Sequence, residues 1–166
     1  MNSLNFRQDQ AWGDLVLRWW NGLETDRGAR AALRRASDIT AVVMLPGYQQ
    51  LHRQLLGAGF PAATGRDDNL AAAAGLLSHV KKNIGLNLPM AMSQREGDKP
   101  CLSPLRFQRL LDSADIDALF PALRRSLPLI QYQTDVLALA NDVFNWDDIV
   151  RKRWAYAYDW PDKSST

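Results

Sequence analysis

Apolar positions along this chain recur at helical spacing in one segment after another. Trp12, Leu15, Val16, Trp19 and Leu23 follow each other at steps of three, four and seven, which predicts a helix from about Arg7 to a stop at Gly22. Asp26 is placed to cap a second helix, Arg27 to Ala36. Ser37-Asp38 begins a third element, Ile39 to Leu45, whose β-branched residues suit a short strand or a short helix. We read it as a helix, since no strand partner stands out elsewhere. Pro46 with Tyr48, Leu51, Leu55 and Leu56 predicts a helix ending at Gly57 or Gly59. Phe60 to Arg66 is a loop, and Asp67-Asp68 opens an alanine- and leucine-rich helix from Asn69 to Ile84, closed by Gly85.

The second half repeats the pattern. Leu86 to Leu102 holds two prolines, Gly97 and little periodicity, so a long mobile loop is expected there. Ser103-Pro104 starts a helix with Phe107, Leu110 and Leu111 inward. Asp115 starts another, with Leu119, Phe120, Leu123, Leu127 and Ile130 apolar, and with Pro121 and Pro128 expected to kink or divide it. Thr134 is the expected cap of a helix through Phe144, and Trp146 to Tyr158 forms the last. Residues 1–6 and 161–166 are expected to be loose ends. The reading is an all-α fold of about eight helices. They form two small packed lobes, 7–85 and 103–160, joined by the linker 86–102.

Composition narrows the function. The 166 residues are 46% hydrophobic and 23% charged, ordinary for a globular chain, and suffice for one good core or two small lobes. No apolar run approaches the roughly 20 residues that span a bilayer, and the N-terminal stretch lacks the apolar core of a signal peptide. Cys101 is the single cysteine, so no internal disulfide can form. A soluble, cytoplasmic protein with no membrane partner is expected.

Catalytic constellations are thin. His52 and His79 stand alone on helical patterns, without the spacing of a metal site. Cys101 has no histidine nearby, and no glycine-rich phosphate loop follows a strand. Asp67-Asp68 and Asp147-Asp148 sit at helix starts, where carboxylates are stabilised anyway. The tryptophans fit apolar helix faces better than base-stacking roles. No enzyme, no metal and no cofactor is expected.

Charge is more informative in kind than in sum. The net charge is only +2, yet fifteen of the twenty basic residues are arginine. On a helix, Arg27, Arg30 and Arg34 fall within about 60° of one another, with Arg35 at the margin. Ala29, Ala32, Leu33 and Ala36 take the other face, and no carboxylate occurs from Arg27 to Ser37. Such a stripe is either a solvated face or a set of guanidinium forks for phosphate or carboxylate. Arg106 and Arg109 lie one helical step apart, and Arg124-Arg125 is two turns from Asp117. These three clusters are the candidates for phosphate contact. The Lys81-Lys82 pair is explained by the end of its helix, and Arg151-Lys152-Arg153 is partly neutralised by Asp147 and Asp148 at i,i+4.

The order of these features resembles a known family. Trp12 and Trp19 precede Asp26-Arg27-Gly28-Ala29-Arg30-Ala31-Ala32-Leu33-Arg34-Arg35-Ala36. Arg106-Phe107-Gln108-Arg109-Leu110-Leu111 follows, then Leu119 to Leu123 with Arg124-Arg125. Leu137 to Trp146 and Arg153-Trp154-Ala155 with Tyr158 complete the series. From about residue 10 to 160 this resembles the CasB family, the small subunit of the type I-E CRISPR surveillance complex, Cascade. The resemblance implies an all-helical, non-catalytic protein present as two head-to-tail copies. It implies contacts with the large and backbone subunits, and basic residues near the crRNA-guided target DNA and its displaced strand. Carried over by motif, the nucleic-acid-binding residues are Arg34 and Arg35, Arg106 and Arg109, Arg124 and Arg125, and Arg151, Lys152 and Arg153; Arg27 and Arg30 join this candidate set from the stripe on their helix. One departure is Pro104-Leu105-Arg106, where the family pattern leads us to expect Glu-Arg-Arg. Two other readings of the same residues are a helical DNA-binding regulator and a protein-only scaffold.

Overall fold

The computed structural model describes residues 4–162. Its helices are α1 (Ala11–Gly22), α2 (Arg27–Arg35), α3 (Ile39–Val43), α4 (Pro46–Gly57) and α5 (Asp67–Leu77), then α6 (Leu88–Ser93), α7 (Pro104–Leu111), α8 (Ile116–Ser126), α9 (Val136–Phe144) and α10 (Asp148–Ala157). Four two-residue strands accompany them. β1 (Lys82–Asn83) pairs in parallel with β4 (Gln133–Thr134), and β2 (Arg95–Glu96) pairs antiparallel with β3 (Lys99–Pro100).

Helix α5 is the hub. Every residue from Leu70 to Leu77 is buried, so this alanine-rich segment is apolar all round rather than on one stripe. It packs against α2, α3, α4, α8 and α9. Its small residues allow the neighbours close. A Cβ on Gly75 would lie 2.9 Å from Val42 Cγ2 and 3.0 Å from Phe120 Cε1. One hydrophobic core therefore runs through both 7–85 and 103–160, with α5 inside it.

Several expectations change. The segment 86–102 holds α6 and the β2–β3 hairpin. Asn87 caps α6 by accepting from Met90 N, and Leu88 and Met92 are fully buried. Two buried anchors order a stretch that has too few apolar positions to show a period. Helix α5 ends at Leu77, not Ile84, because the following residues leave to pair with Gln133 and Thr134, a partner far along the chain. Thr134 is not a cap: its hydroxyl donates to Leu86 O at 2.9 Å, and Asp135 caps α9 instead. Helix α8 runs unbroken through Pro121 and gives way at Leu127 to a 3₁₀ turn containing Pro128.

The N-terminal end is tied down as well. Phe6 is buried, stacked on Phe60 at 5.7 Å between centroids and edge-on to Phe144 at 5.7 Å. Asn141 accepts from Phe6 N and donates to Phe6 O at 2.8 Å, as a paired strand would. The expected loose ends at 1–3 and 163–166 lie outside the described residues.

Candidate nucleic-acid interface

The arginine helix folds as its pattern requires. Asp26 accepts from Ala29 N at 3.1 Å, and Leu33 is buried against the core. The other face is drawn to the C-terminal end of α5, where unpaired carbonyls attract cations. Arg34 Nε donates to Ser78 O at 2.8 Å and Arg30 Nε to the same oxygen at 3.5 Å. From α8, Arg124 Nη2 donates to Arg34 O at 2.8 Å, tying α8 to α2. Burial, then the neighbouring Arg30, lowers the Arg34 guanidinium from its ordinary value. Arg27, Arg30 and Arg34, with Glu24 and Ala31, line an open groove of about 520 Å³. Arg35, the last residue of α2, is exposed.

A second groove lies between α7 and α8. Ser103 caps α7, and Phe107 and Leu110 are buried, which leaves Arg106 and Arg109 on the outside. Asp115 caps α8, and Leu119, Phe120 and Leu123 are buried, which leaves Arg125 outside. Arg106, Arg109 and Arg125 line a groove of about 700 Å³ with Leu110, Ala122 and Leu129 among its apolar members. The neighbours Arg124 and Arg125 therefore diverge, about 100° apart on their helix. One braces α2 and the other joins α7.

The third basic cluster is largely committed to the protein. Arg151 pairs with Asp148 at 2.9 Å, an i,i+3 pair, and its Nε donates to Leu111 O at 2.7 Å. Asp147 caps α10 instead of pairing at i,i+4. Arg153 pairs with Asp142 at 2.9 Å, and Trp154 Nε1 donates to the other oxygen of this buried carboxylate at 2.8 Å. Lys152 is exposed. These are the ion pairs found among the described residues, so within that set no arginine of α2, α7 or α8 has a carboxylate partner. Several acids are occupied elsewhere: Asp26, Asp38, Asp115, Asp135 and Asp147 all cap helices.

Sequence patterns missed what surrounds Ser78. Lys81 is not at a helix end. Its backbone N–H donates to Tyr132 O at 2.8 Å and its ammonium sits 4.5 Å over the Tyr132 ring. His79 is pressed below its ordinary 6.5 to about 4, first by burial and then by Arg124, Arg34 and Arg30. Between those two values the unfolded chain takes up a proton that the folded chain refuses, so stability is lost as pH falls through that window. The thermal midpoint is expected to fall between about pH 7 and about pH 5, and to fall less in His79→Gln. The same pH dependence in both proteins would mean that His79 does not cause it. No local signal marks the cluster, since its members come from α2, α8 and the turn after α5.

Among the described residues no group of three or more His, Cys, Asp or Glu is placed to hold a metal ion, and no helix is long and apolar enough to cross a membrane. Cys101 is half-buried, and burial, then Glu96, pushes its thiol up, away from a reactive thiolate.

Comparison with known proteins adds to this geometry. The fold is similar to a chain in the crystal structure of E. coli Cascade bound to a PAM-containing dsDNA target, with a TM-score of 0.60 and 21% identity over 86% of this chain and 91% of that one. No curated protein sequence matches the chain. The profile of the family described as CRISPR-associated protein Cse2 matches residues 29–158, which take in α7, α8, α10 and nearly all of α2. The family is the one also called CasB, to which the order of motifs points. With the profile covering most of its length, this chain belongs to the CRISPR-associated Cse2 family.

Proposed function

We propose that this chain is a non-catalytic subunit of a cytoplasmic Cascade complex and holds the backbone of nucleic acid in the crRNA-guided R-loop. The observation that carries the reading is the set of arginines on α2, α7 and α8 without carboxylate partners among the described residues, in a chain whose net charge is only +2. An arginine left unpaired on a helix face suits a phosphate, which it can grip with two parallel N–H donors. Membership of the Cse2 family and a fold shared with a chain of E. coli Cascade on target DNA support the same reading. The partners are then the large and backbone subunits, a second copy of this chain, crRNA and target DNA. In RNA-guided recognition base pairing reads the sequence while protein holds backbones, and the strand exchange is nearly balanced in energy, so a few contacts shift it.

The roles divide by residue. Arg27, Arg30, Arg34, Arg35, Arg106, Arg109 and Arg125 are the phosphate contacts, with Lys152 as an outlying one. Arg124, Arg151 and Arg153 hold the fold. Ile149 and Tyr156, 73% and 91% exposed on α10, belong to a protein contact. The test is target binding by guide-loaded complex reconstituted with and without this chain, measured against salt. Affinity is expected to drop without it, and the salt dependence to become shallower. The same affinity and slope in both would rule the reading out.

A further inference from the structure

The two arginine grooves differ in the residues that line them. The groove on α2 is walled by Arg27, Arg30 and Arg34 with Glu24 at its side, and Ala31 is its one apolar lining residue. The groove between α7 and α8 has arginines at its rim and an apolar floor of Leu110, Ala122 and Leu129. Ser126, the hydroxyl within it, donates back to Ala122 O at 2.9 Å, so the floor presents no free hydroxyl donor. At about 700 Å³ it lies in the size range of small-molecule sites. A phosphate gains nothing from such a floor. A flat apolar ring does, while its flanking phosphates reach the rim.

We infer that the groove between α7 and α8 seats one unpaired base of a single-stranded segment, with Arg106, Arg109 and Arg125 on the adjoining phosphates. The inference rests on the nucleic-acid reading above and narrows it. A duplex keeps its bases stacked inside and offers this groove only its backbone, so the occupant is single-stranded. The α2 groove, with Ala31 as its one apolar residue, offers no such floor.

The test titrates the full-length chain with a short oligodeoxythymidylate, with the same strand carrying abasic sugars, with the matching oligoribonucleotide, and with a duplex. The base-bearing strands are expected to bind about tenfold tighter than the abasic one, within the range that seating one base contributes. Ala122→Leu fills the floor, and Leu129→Ser makes it polar. Either is expected to bring the base-bearing strands down to the abasic level while leaving abasic and duplex binding unchanged; both residues pack against the core, so the comparison is made well below each variant's thermal midpoint. If only the deoxy or only the ribo strand shows the difference, the seated nucleotide is of that kind. Equal binding of base-bearing and abasic strands, both weakened by Arg109→Ala, overturns base seating and leaves the phosphate reading intact. Base seating is overturned in the same way if the floor variants weaken all the probes alike. No binding of any probe at low salt overturns both.

Discussion

Replacing Arg106, Arg109 and Arg125 together by alanine is expected to lower affinity for single-stranded nucleic acid about a hundredfold at about 0.1 M salt. Each phosphate contact on a single strand releases roughly 0.7 of a counterion, so three lost contacts flatten the logarithmic salt slope by about 2. The same release makes each contact worth about fivefold at that ionic strength. Stability is expected to stay within about 0.5 kcal/mol, because all three residues are exposed and none has a carboxylate partner among the described residues. Arg124→Ala should behave in the opposite way. It removes the bond from α8 to Arg34 O, so it loosens the fold more than it changes the salt slope. Titrations of the triple variant and of Arg124→Ala across salt, beside thermal melting, separate the two behaviours. An unchanged slope in the triple variant would remove the α7–α8 groove from the interface.

Asp142→Ala is expected to cost about 3 kcal/mol, which lowers the thermal midpoint of a chain of this size by about 10 °C. Asp142 is 3% exposed and is the acceptor for two groups, Arg153 Nη2 and the indole N–H of the fully buried Trp154. Its removal strands that N–H in the core, where an unmade hydrogen bond carries the whole desolvation penalty. It also disturbs the aromatic layer in which Trp154 lies edge-on to Trp146 at 4.9 Å and stacked on Phe107 at 6.5 Å. Arg153→Ala should cost less, about 1 to 2 kcal/mol: the guanidinium is 56% exposed, but its loss leaves the Asp142 carboxylate, 4% exposed, held by the indole N–H. Asp142→Asn keeps an acceptor for the indole and should fall between the two. Thermal or denaturant melting of the three variants gives the order. A loss in Arg153→Ala as large as in Asp142→Ala would mean that the ion pair, and not the indole bond, holds α10 in place.

Much of the fold is legible in the chain because it is local. Helix α2 needs only its own residues: a cap at Asp26, alanines and Leu33 on one side, arginines on the other. Ser103, Asp115 and Asp147 mark helix starts by the same short-range chemistry, a side-chain oxygen facing an amide three residues on. The stretch from Ile39 to Val43 is a helix despite its β-branched residues. The family, too, is readable from the order of such local pieces.

Sequence patterns mislead where a partner lies far away. Lys82 and Asn83 leave α5 to pair with Gln133 and Thr134, and no pattern in either segment names the other. Phe6 resembles part of a loose end because its ring finds Phe60 and Phe144 only in the folded chain. Arg153 resembles a free base because Asp142, on the preceding helix, becomes its neighbour only when α9 and α10 fold together.

The sequence by itself determined most of the helices, α6 excepted, with the faces they bury and the presence of arginine stripes, since periodicity and caps act within a few residues. Only the tertiary structure decided which arginines remain available. The burial of α5 draws the Nε of Arg30 and Arg34 onto the carbonyl at its end while both still line the α2 groove, and it sends Arg124 to α2 and Arg125 to α7. The crossing of helices distant in the chain sets which guanidinium meets a protein oxygen and which faces outward, and no spacing along the sequence encodes that geometry.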